Sequence, residues 1–198
     1  MYIFTVIANT HIEKKKSFKI KNNFDSVLWY RWLDKLGLAA KSNVGGLMRQ
    51  TFIQGSYALV DPDTLYPNPD YWLTVLYKRL VGNIVYNAQA YNATNKIRLY
   101  AHSANTNWYS SSCVVLYGMN LYKENVTLEL PQYKNLALDL YLLQAPNSDL
   151  YSRSVLLNGN RLHLNPDDTL PNLNIPVQVK DNFTLPPYSY FFLVIPTA

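Results

Sequence analysis

Cysteine, charge and long apolar runs are all scarce in this chain of 198 residues. Its single cysteine, Cys113, excludes an intramolecular disulfide. Charged residues make up 16% of the chain and hydrophobic residues 48%, a balance that excludes a disordered chain and predicts a packed globular protein. The apolar run at residues 1–8, MYIFTVIA, is too short to cross a bilayer and has no basic segment before it. The sequence therefore predicts no transmembrane segment and no convincing signal peptide.

The net charge of +5 belongs mostly to one short segment. Five lysines occur within residues 14–21, beside Glu13, and the rest of the chain is close to neutral. A broad basic surface of the kind that binds nucleic acid is therefore not predicted. We interpret residues 1–23 as a flexible lead-in, and heparin binding by the segment KKKSFKIK is the alternative interpretation.

A helix, a strand and a second helix are predicted in the first part of the chain. The first helix, at residues 24–38, carries Trp32 on its apolar face and ends at Gly37, which takes a left-handed cap. Its N-cap is Asp25 or Ser26. Trp32 is therefore expected to be a core residue rather than a ligand contact.

The predicted strand occupies residues 46–53, which are nearly all apolar and so are expected to be buried on both faces in a parallel barrel. The turn residues Asp61-Pro62-Asp63 follow it. Asp70 is the predicted N-cap of the second helix, and Gly82 ends that helix.

Beyond residue 82 the apolar period changes from helical to two. Asn158-Gly159 between two short apolar runs also predicts a hairpin. The alternation predicts strands near residues 84–91, 97–101, 112–122, 126–130, 136–140 and 183–195. Residues 83–198 are therefore predicted to form an antiparallel β-sandwich of about eight strands.

Seven short motifs connect this chain to a known family. They are WLDKLGL at 32–38, MRQ at 48–50, LVD at 59–61, PDYWL at 69–73, LNG at 157–159, DDTLP at 167–171 and YSYFFLVI at 188–195. These motifs occur in the same order and at nearly the same spacing as in the heparanases, which the chain therefore resembles. Heparanases are retaining endo-β-glucuronidases that cut heparan sulfate. The resemblance implies an α+β multidomain fragment, with residues 24–82 as the last elements of a (β/α)8 TIM barrel and residues 83–198 as a C-terminal antiparallel β-sandwich.

The resemblance also implies partners and a location. Heparan sulfate or a related glycosaminoglycan is the expected glycan partner, and the missing N-terminal barrel segment is the expected protein partner. A secreted, lysosomal or extracellular-matrix location is implied as well. Heparanases tie the β-sandwich with a disulfide whose first cysteine falls where Ser103 stands here.

Catalytic carboxylates of the expected kind are missing from the sequence. A retaining glycosidase needs an acid/base and a nucleophile about 5 to 5.5 Å apart, and heparanases place both on glutamates in Asn-Glu and Gly-Glu-Thr-like motifs. The glutamates here are Glu13, Glu124 and Glu129, and none has either context. We therefore predict that the chain carries no catalytic residue, needs no cofactor and is inactive alone. The alternative is a non-catalytic module that binds sulfated glycan or protein.

Gly55, Ser56 and Tyr57 match the substrate-contacting Gly-x-Tyr loop of the heparanases. By that resemblance the glycine lets a sugar or sulfate approach backbone N–H groups, and the tyrosine offers a ring face and a hydroxyl. The alternative is a structural turn at Gly55 with Tyr57 packed over the barrel end. Gln50 is expected either to point into the barrel mouth or to make a structural hydrogen bond.

Metal binding is not predicted. His11, His102 and His163 are scattered along the chain, and the aspartates near residues 61–70 match no ligand spacing. The lone Cys113 is interpreted as a packed residue of the β-sandwich.

Glycosylation is predicted at three sequons, Asn92-Ala93-Thr94, Asn125-Val126-Thr127 and Asn182-Phe183-Thr184. They indicate a secretory route, whereas a single cysteine is typical of a reducing compartment.

Overall fold

The computed structural model describes residues 3–9, 27–55, 58–91 and 97–196. Helix α1 spans Val27–Lys41 and helix α2 spans Pro69–Leu80. Both predicted helices are thus confirmed, although the proposed caps Asp25 and Ser26 lie outside the described residues.

Trp32 joins the two helices. Its side chain is 8% exposed, and its indole N–H donates to the Thr74 hydroxyl at 3.0 Å. Leu33, the next residue along α1, is completely buried. The prediction that Trp32 is a core residue is therefore confirmed.

Gly37 lies inside α1 and does not cap it, so that prediction is wrong. A Cβ atom at this position would lie 2.4 Å from the ring of Tyr100. The glycine is there because helix and sheet approach too closely for any side chain.

The ends of α2 also differ from prediction. Asn68 is its N-cap, whereas Asp70 lies in the first turn and is 4% exposed. Helix α2 ends at Leu80, and the N–H of Val81 still donates to the carbonyl of Tyr77. Gly82 therefore belongs to the strand that follows and does not end the helix.

Strands account for most of the remaining regular structure in the described ranges. They are β1 Ile3–Asn9, β2 Val81–Tyr91, β3 Ile97–Ala104, β4 Cys113–Asn120, β5 Val126–Glu129, β6 Leu138–Gln144, β7 Leu156–Leu157, β8 Asn160–Arg161, β9 Val177–Val179, β10 Asn182–Leu185 and β11 Ser189–Pro196. Each predicted strand beyond residue 82 is present, and residues 183–195 are divided into β10 and β11. The predicted hairpin at Asn158-Gly159 joins β7 to β8.

The strands pair in the order β10-β5-β1-β2-β3-β4-β11-β6-β7-β8, with β9 beside β6. Among the described strands, every pair is antiparallel except β1 with β2. The antiparallel prediction is confirmed. However, the strands form one continuous sheet, because β1 connects the β5–β10 ladder to β2.

Two cores lie on opposite faces of this sheet. In β4, Val115 and Tyr117 belong to the core that contains Trp72 of α2, whereas Leu116 belongs to the core that contains Leu128 of β5. This split follows from the alternation of side chains along a strand. The helices therefore cover one face, and β5 and β10 fold back over the other.

The strand predicted at residues 46–53 is not formed. Met48 is 98% exposed and Phe52 60% exposed, and the segment keeps one isolated parallel bridge, between Ile53 and Val60. A parallel strand needs neighbouring strands that accept and donate its backbone hydrogen bonds, and among the described residues no strand pairs with this segment. Of the elements predicted within residues 24–82, the two helices are present and the strand is absent, and the assignment of these residues to a barrel stays a prediction.

The N-terminal segment also differs from prediction over its described part. Residues 3–9, assigned to a flexible lead-in, form β1 between β2 and β5. The residues IFTVIAN are rich in the β-branched and aromatic types that favour strands. Residues 10–23, including the lysine cluster, lie outside the described residues.

Candidate functional site

We call residues 51–60 the Gly55 loop, of which the structure describes residues 51–55 and 58–60. The N–H of Leu59 donates to the carbonyl of Thr51 at 3.1 Å, and that of Val60 to Phe52 at 2.9 Å. Gly55 lies exposed in this loop with φ +89°, a conformation that favours glycine. Ser56 and Tyr57 lie outside the described residues, so the predicted contact set Gly55, Ser56 and Tyr57 stays a prediction. Gln50 is exposed just before the loop.

A buried ion pair anchors the segment that leads into this loop. The guanidinium of Arg49 lies 2.5 Å from the carboxylate of Asp70, and the two side chains are 13% and 5% exposed. Arg49 also lies over the Trp32 ring at 5.4 Å. Burial raises the pKa of the Asp70 carboxyl, and the positive charge of Arg49 acts in the opposite direction. The sequence motif MRQ is therefore tied to both helices.

A cavity of about 370 Å³ lies beside α2. One side is formed by residues of the segment 61–72, and the other by residues of the segment 153–163. Arg153, Arg161 and His163 line it together with Asp61 and the half-exposed Tyr66. We call it the arginine cavity.

Asp61 organises the wall of the arginine cavity. One carboxylate oxygen accepts the N–H of Thr64 at 2.9 Å, the Thr64 hydroxyl at 3.0 Å and the N–H of Asp63 at 3.1 Å. The other oxygen pairs with Arg153. The Thr64 N–H is the main reason that the pKa of Asp61 falls to about 2. The turn predicted at Asp61 is thus confirmed, whereas its arginine partner was missed.

The two histidines in the described part of the chain, His102 and His163, have different surroundings. His102 is 3% exposed and lies between the Gly82 carbonyl, at 3.0 Å from Nδ1, and the Tyr117 hydroxyl, at 3.1 Å from Nε2. Burial lowers the pKa of His102. His163 is exposed and lies after β8, outside any strand. Within the described ranges, no group of three or more His, Cys, Asp or Glu side chains is arranged to hold a metal ion.

Cys113 begins β4 and is buried, as predicted for a packed residue, and burial raises the pKa of its thiol. Ser103, at the family's cysteine position, is 9% exposed, and its hydroxyl accepts the N–H of Ile84 at 3.2 Å.

The two described glutamates lie in or next to β5. Glu129 ends β5 and pairs with Asn182 of β10, and Glu124 lies in the turn before β5. Glu13 lies outside the described residues. Among the carboxylates near α2, Asp61 and Asp70 are each engaged by an arginine.

Two of the three predicted glycosylation sites can be located. Asn125 is exposed just before β5, and Asn182 is exposed at the start of β10. Their sequon threonines, Thr127 and Thr184, face each other with hydroxyl oxygens 3.1 Å apart. Asn92 lies outside the described residues.

Known proteins are similar to most of this chain. No family model matches it. A hyaluronoglucuronidase of Hirudo nipponia is 41% identical over 172 residues, 84% of this chain and 35% of the relative. A heparanase of Bos taurus is 41% identical over 176 residues, 85% of this chain and 32% of the relative. Inactive heparanase-2 of Homo sapiens is 30% identical over 181 residues, 84% of this chain and 31% of the relative.

These similarities place the chain among the glycoside hydrolases. Within that class it belongs to the heparanase family, which confirms the resemblance drawn from its motifs. The chain spans about a third of the length of the curated relatives it matches. No helix in the part that the structure describes is long and apolar enough to cross a membrane.

Proposed function

We propose that this chain is the C-terminal portion of a heparanase-like glycoside hydrolase. It supplies the last two barrel helices, the Gly55 loop and the β domain to an enzyme that hydrolyses glucuronidic bonds of heparan sulfate. The observation that carries this proposal is the exposed apolar segment 42–55, which follows α1 and bears Met48 and Phe52. In a closed barrel such a segment pairs with neighbouring strands that another stretch of polypeptide provides.

The chain alone is proposed to be inactive. The two described glutamates belong to the β5 region of the sheet, and Asp61 and Asp70, which lie near the Gly55 loop, are each held by an arginine. Asp61 stays ionised and is unsuited to donate a proton, and Asp70 is too buried to touch a substrate. The acid/base and the nucleophile therefore come from outside this chain.

Incubation of the purified 198-residue chain with heparan sulfate tests this part of the proposal. The size distribution of the polysaccharide on gel filtration should stay unchanged, while a heparanase digest run in parallel should shorten it. Shortening by the chain alone, at a rate proportional to its concentration, would refute the proposal.

Gly55, Ser56 and Tyr57 are proposed to contact the substrate in the assembled enzyme. The positive φ of Gly55 and its exposed position support a backbone surface that a sugar can approach. Tyr57→Phe should raise KM and leave kcat nearly unchanged if the hydroxyl only binds substrate. A loss of stability with unchanged KM would instead favour packing over the barrel end.

A non-catalytic binding module is the second candidate. It is favoured by the similarity to inactive heparanase-2, a family member whose name states the absence of activity. Retention on heparin should then fall steeply with salt. Substitution of glutamine for all five lysines of the cluster tests which part of the chain binds heparin. Loss of retention would assign binding to the lysine cluster, at Lys14, Lys15, Lys16, Lys19 and Lys21, and unchanged retention would assign it to the β domain. These substitutions are preferable to deletion of residues 1–23, which would also remove β1.

Glycosylation at Asn92, Asn125 and Asn182 and a secreted, lysosomal or matrix location are proposed with the family assignment. The exposure of Asn125 and Asn182 supports access by the glycosylation machinery. Expression through a secretory pathway should give a glycosidase-sensitive mass, which Asn125→Gln reduces by one glycan. A mass unaffected by the glycosidase would contradict this assignment.

A further inference from the structure

The arginine cavity has the features of a ligand site that lies apart from the Gly55 loop. Its volume of about 370 Å³ is at the small end of the range for ligand pockets, about 300 to 1,000 Å³. Gly55 is not one of its lining residues. Its two sides come from segments far apart in sequence, so a bound molecule would bridge them.

The two arginines of the cavity differ in their electrostatic surroundings. Arg153 pairs with Asp61, and its charge is largely neutralised there. Arg161 donates to the hydroxyl of Ser154, and no carboxylate in the described part of the chain forms an ion pair with it. The cavity therefore offers one uncompensated guanidinium, whose planar fork suits a carboxylate or a sulfate.

The rest of the lining suits a sugar ring. Tyr66 is 51% exposed and presents an aromatic surface at the cavity. Asn68 and His163 also line the cavity and provide polar groups for hydroxyls. The negative charge of Asp61, whose two carboxylate oxygens are already engaged, disfavours a multiply charged phosphate ligand. A small ligand with one anionic group, several hydroxyls and an apolar ring face meets all three conditions.

We propose that the arginine cavity binds one acidic saccharide unit, with its sulfate or carboxylate on Arg161 and its ring against Tyr66. The acidic-saccharide chemistry follows from the cavity, whereas a glycosaminoglycan as its source rests on the proposed function. Bound there, the saccharide joins the loop before α2 to the β7–β8 hairpin.

Calorimetric titration of the full chain with a sulfated heparin disaccharide tests the site. Arg161→Gln should weaken binding about tenfold, because a charge-assisted hydrogen bond is lost. Arg161→Lys, which keeps the charge but loses the planar fork, should weaken binding less than Arg161→Gln does. Lys134→Gln, which removes an equal charge from an exposed turn, is the matched control and should bind like the wild type. Unchanged binding by Arg161→Gln, or an equal loss in the control, would overturn the proposal.

Further titrations separate the source of the anion. An unsulfated hyaluronan disaccharide reports on the carboxylate, and inorganic sulfate reports on the anion without a ring. Tyr66→Ala should weaken both disaccharides and leave inorganic sulfate unaffected. If inorganic sulfate binds as tightly as the disaccharides, the site is not a saccharide site. None of these results depends on hydrolysis, so they stand or fall separately from the digestion assay.

Discussion

Gly37 illustrates how one missing side chain allows a helix to lie against a sheet. Alanine in a helix interior is normally more stable than glycine by about 1 kcal/mol. Here its methyl group would collide with the Tyr100 ring at 2.4 Å. We expect Gly37→Ala to destabilise the protein by about 1 to 3 kcal/mol, measured by denaturant unfolding.

Gly45→Ala is the matched control for this substitution. Gly45 has no atom within 4 Å of an added Cβ, so the change should be neutral or slightly stabilising. An equal loss of stability in both variants would show that the clash with Tyr100 is not the cause.

Ionisation of Asp61 makes the free energy of unfolding depend on pH in the acid range. Its pKa is about 2 in the folded protein against an ordinary value of 3.8, so its carboxylate stabilises the fold above pH 3.8 and loses that effect as the pH falls toward 2. Asp61→Asn should therefore lower the free energy of unfolding at pH 6. The difference from wild type should shrink between pH 4 and pH 2. A constant difference between Asp61→Asn and the wild type across this range would contradict a stabilising role for the ionised carboxylate. Asp63→Asn, which removes the same charge, is the control.

Single residues were predictable where their role is local. The turn at Asp61 and the buried Trp32 follow from neighbours in sequence. The partner of Asp61 does not, because Arg153 lies 92 positions away and no local pattern marks it. The cap expected at Gly37 fails for the same reason, since the Tyr100 ring that excludes a side chain comes from a strand.

At the scale of elements, the Arg49–Asp70 pair holds the segment 42–55 against α2. Arg49→Met should cost about 3 kcal/mol of unfolding free energy, because it leaves the Asp70 carboxylate buried without its cation. Addition of Asp70→Asn should recover part of that loss. A double-mutant cycle measures the coupling.

Arg98→Met is the control for this experiment. Arg98 pairs with Asp34 at 3.7 Å with 46% of its side chain exposed, and such pairs contribute about 1 kcal/mol or less. If both arginine substitutions cost the same, burial does not strengthen the Arg49 pair and the anchoring role is wrong.

Elements were predictable where the apolar period belonged to a strand with partners in this chain. The alternation in β5 gives Val126 and Leu128 buried and Thr127 half-buried. Residues 46–53 carry an equally apolar pattern but have no described strand beside them, and the prediction failed there. Periodicity reports what a segment can bury, and the available neighbours decide whether it does so.

At the scale of the whole molecule, the apolar segment 42–55 should make the isolated chain self-associate. Met48 and Phe52 are 98% and 60% exposed and lie four residues apart in one segment. The double variant Met48→Gln/Phe52→Gln should reduce concentration-dependent association in analytical ultracentrifugation. Tyr151→Gln, at a position 63% exposed but remote in sequence, should not. Equal association of the wild type, the double variant and Tyr151→Gln would show that the segment does not mediate association.

The motifs identified the family because they retain family residues over most of the chain. They could not specify how the strands join, since β1 lies in a segment where no motif occurs. The continuous sheet depends on pairing between the first and the later strands, which sequence periodicity does not encode.

Helix α2 passes into β2 with no intervening residue, since Leu80 ends one and Val81 begins the other. A single peptide bond connects the two elements, and the Val81 N–H still donates to the Tyr77 carbonyl of the last helical turn. A movement of α2 is therefore transmitted directly to β2, which lies between β1 and β3 in the sheet. Helix α2 and the sheet should therefore move together, and the junction between Leu80 and Val81 should resist proteolysis.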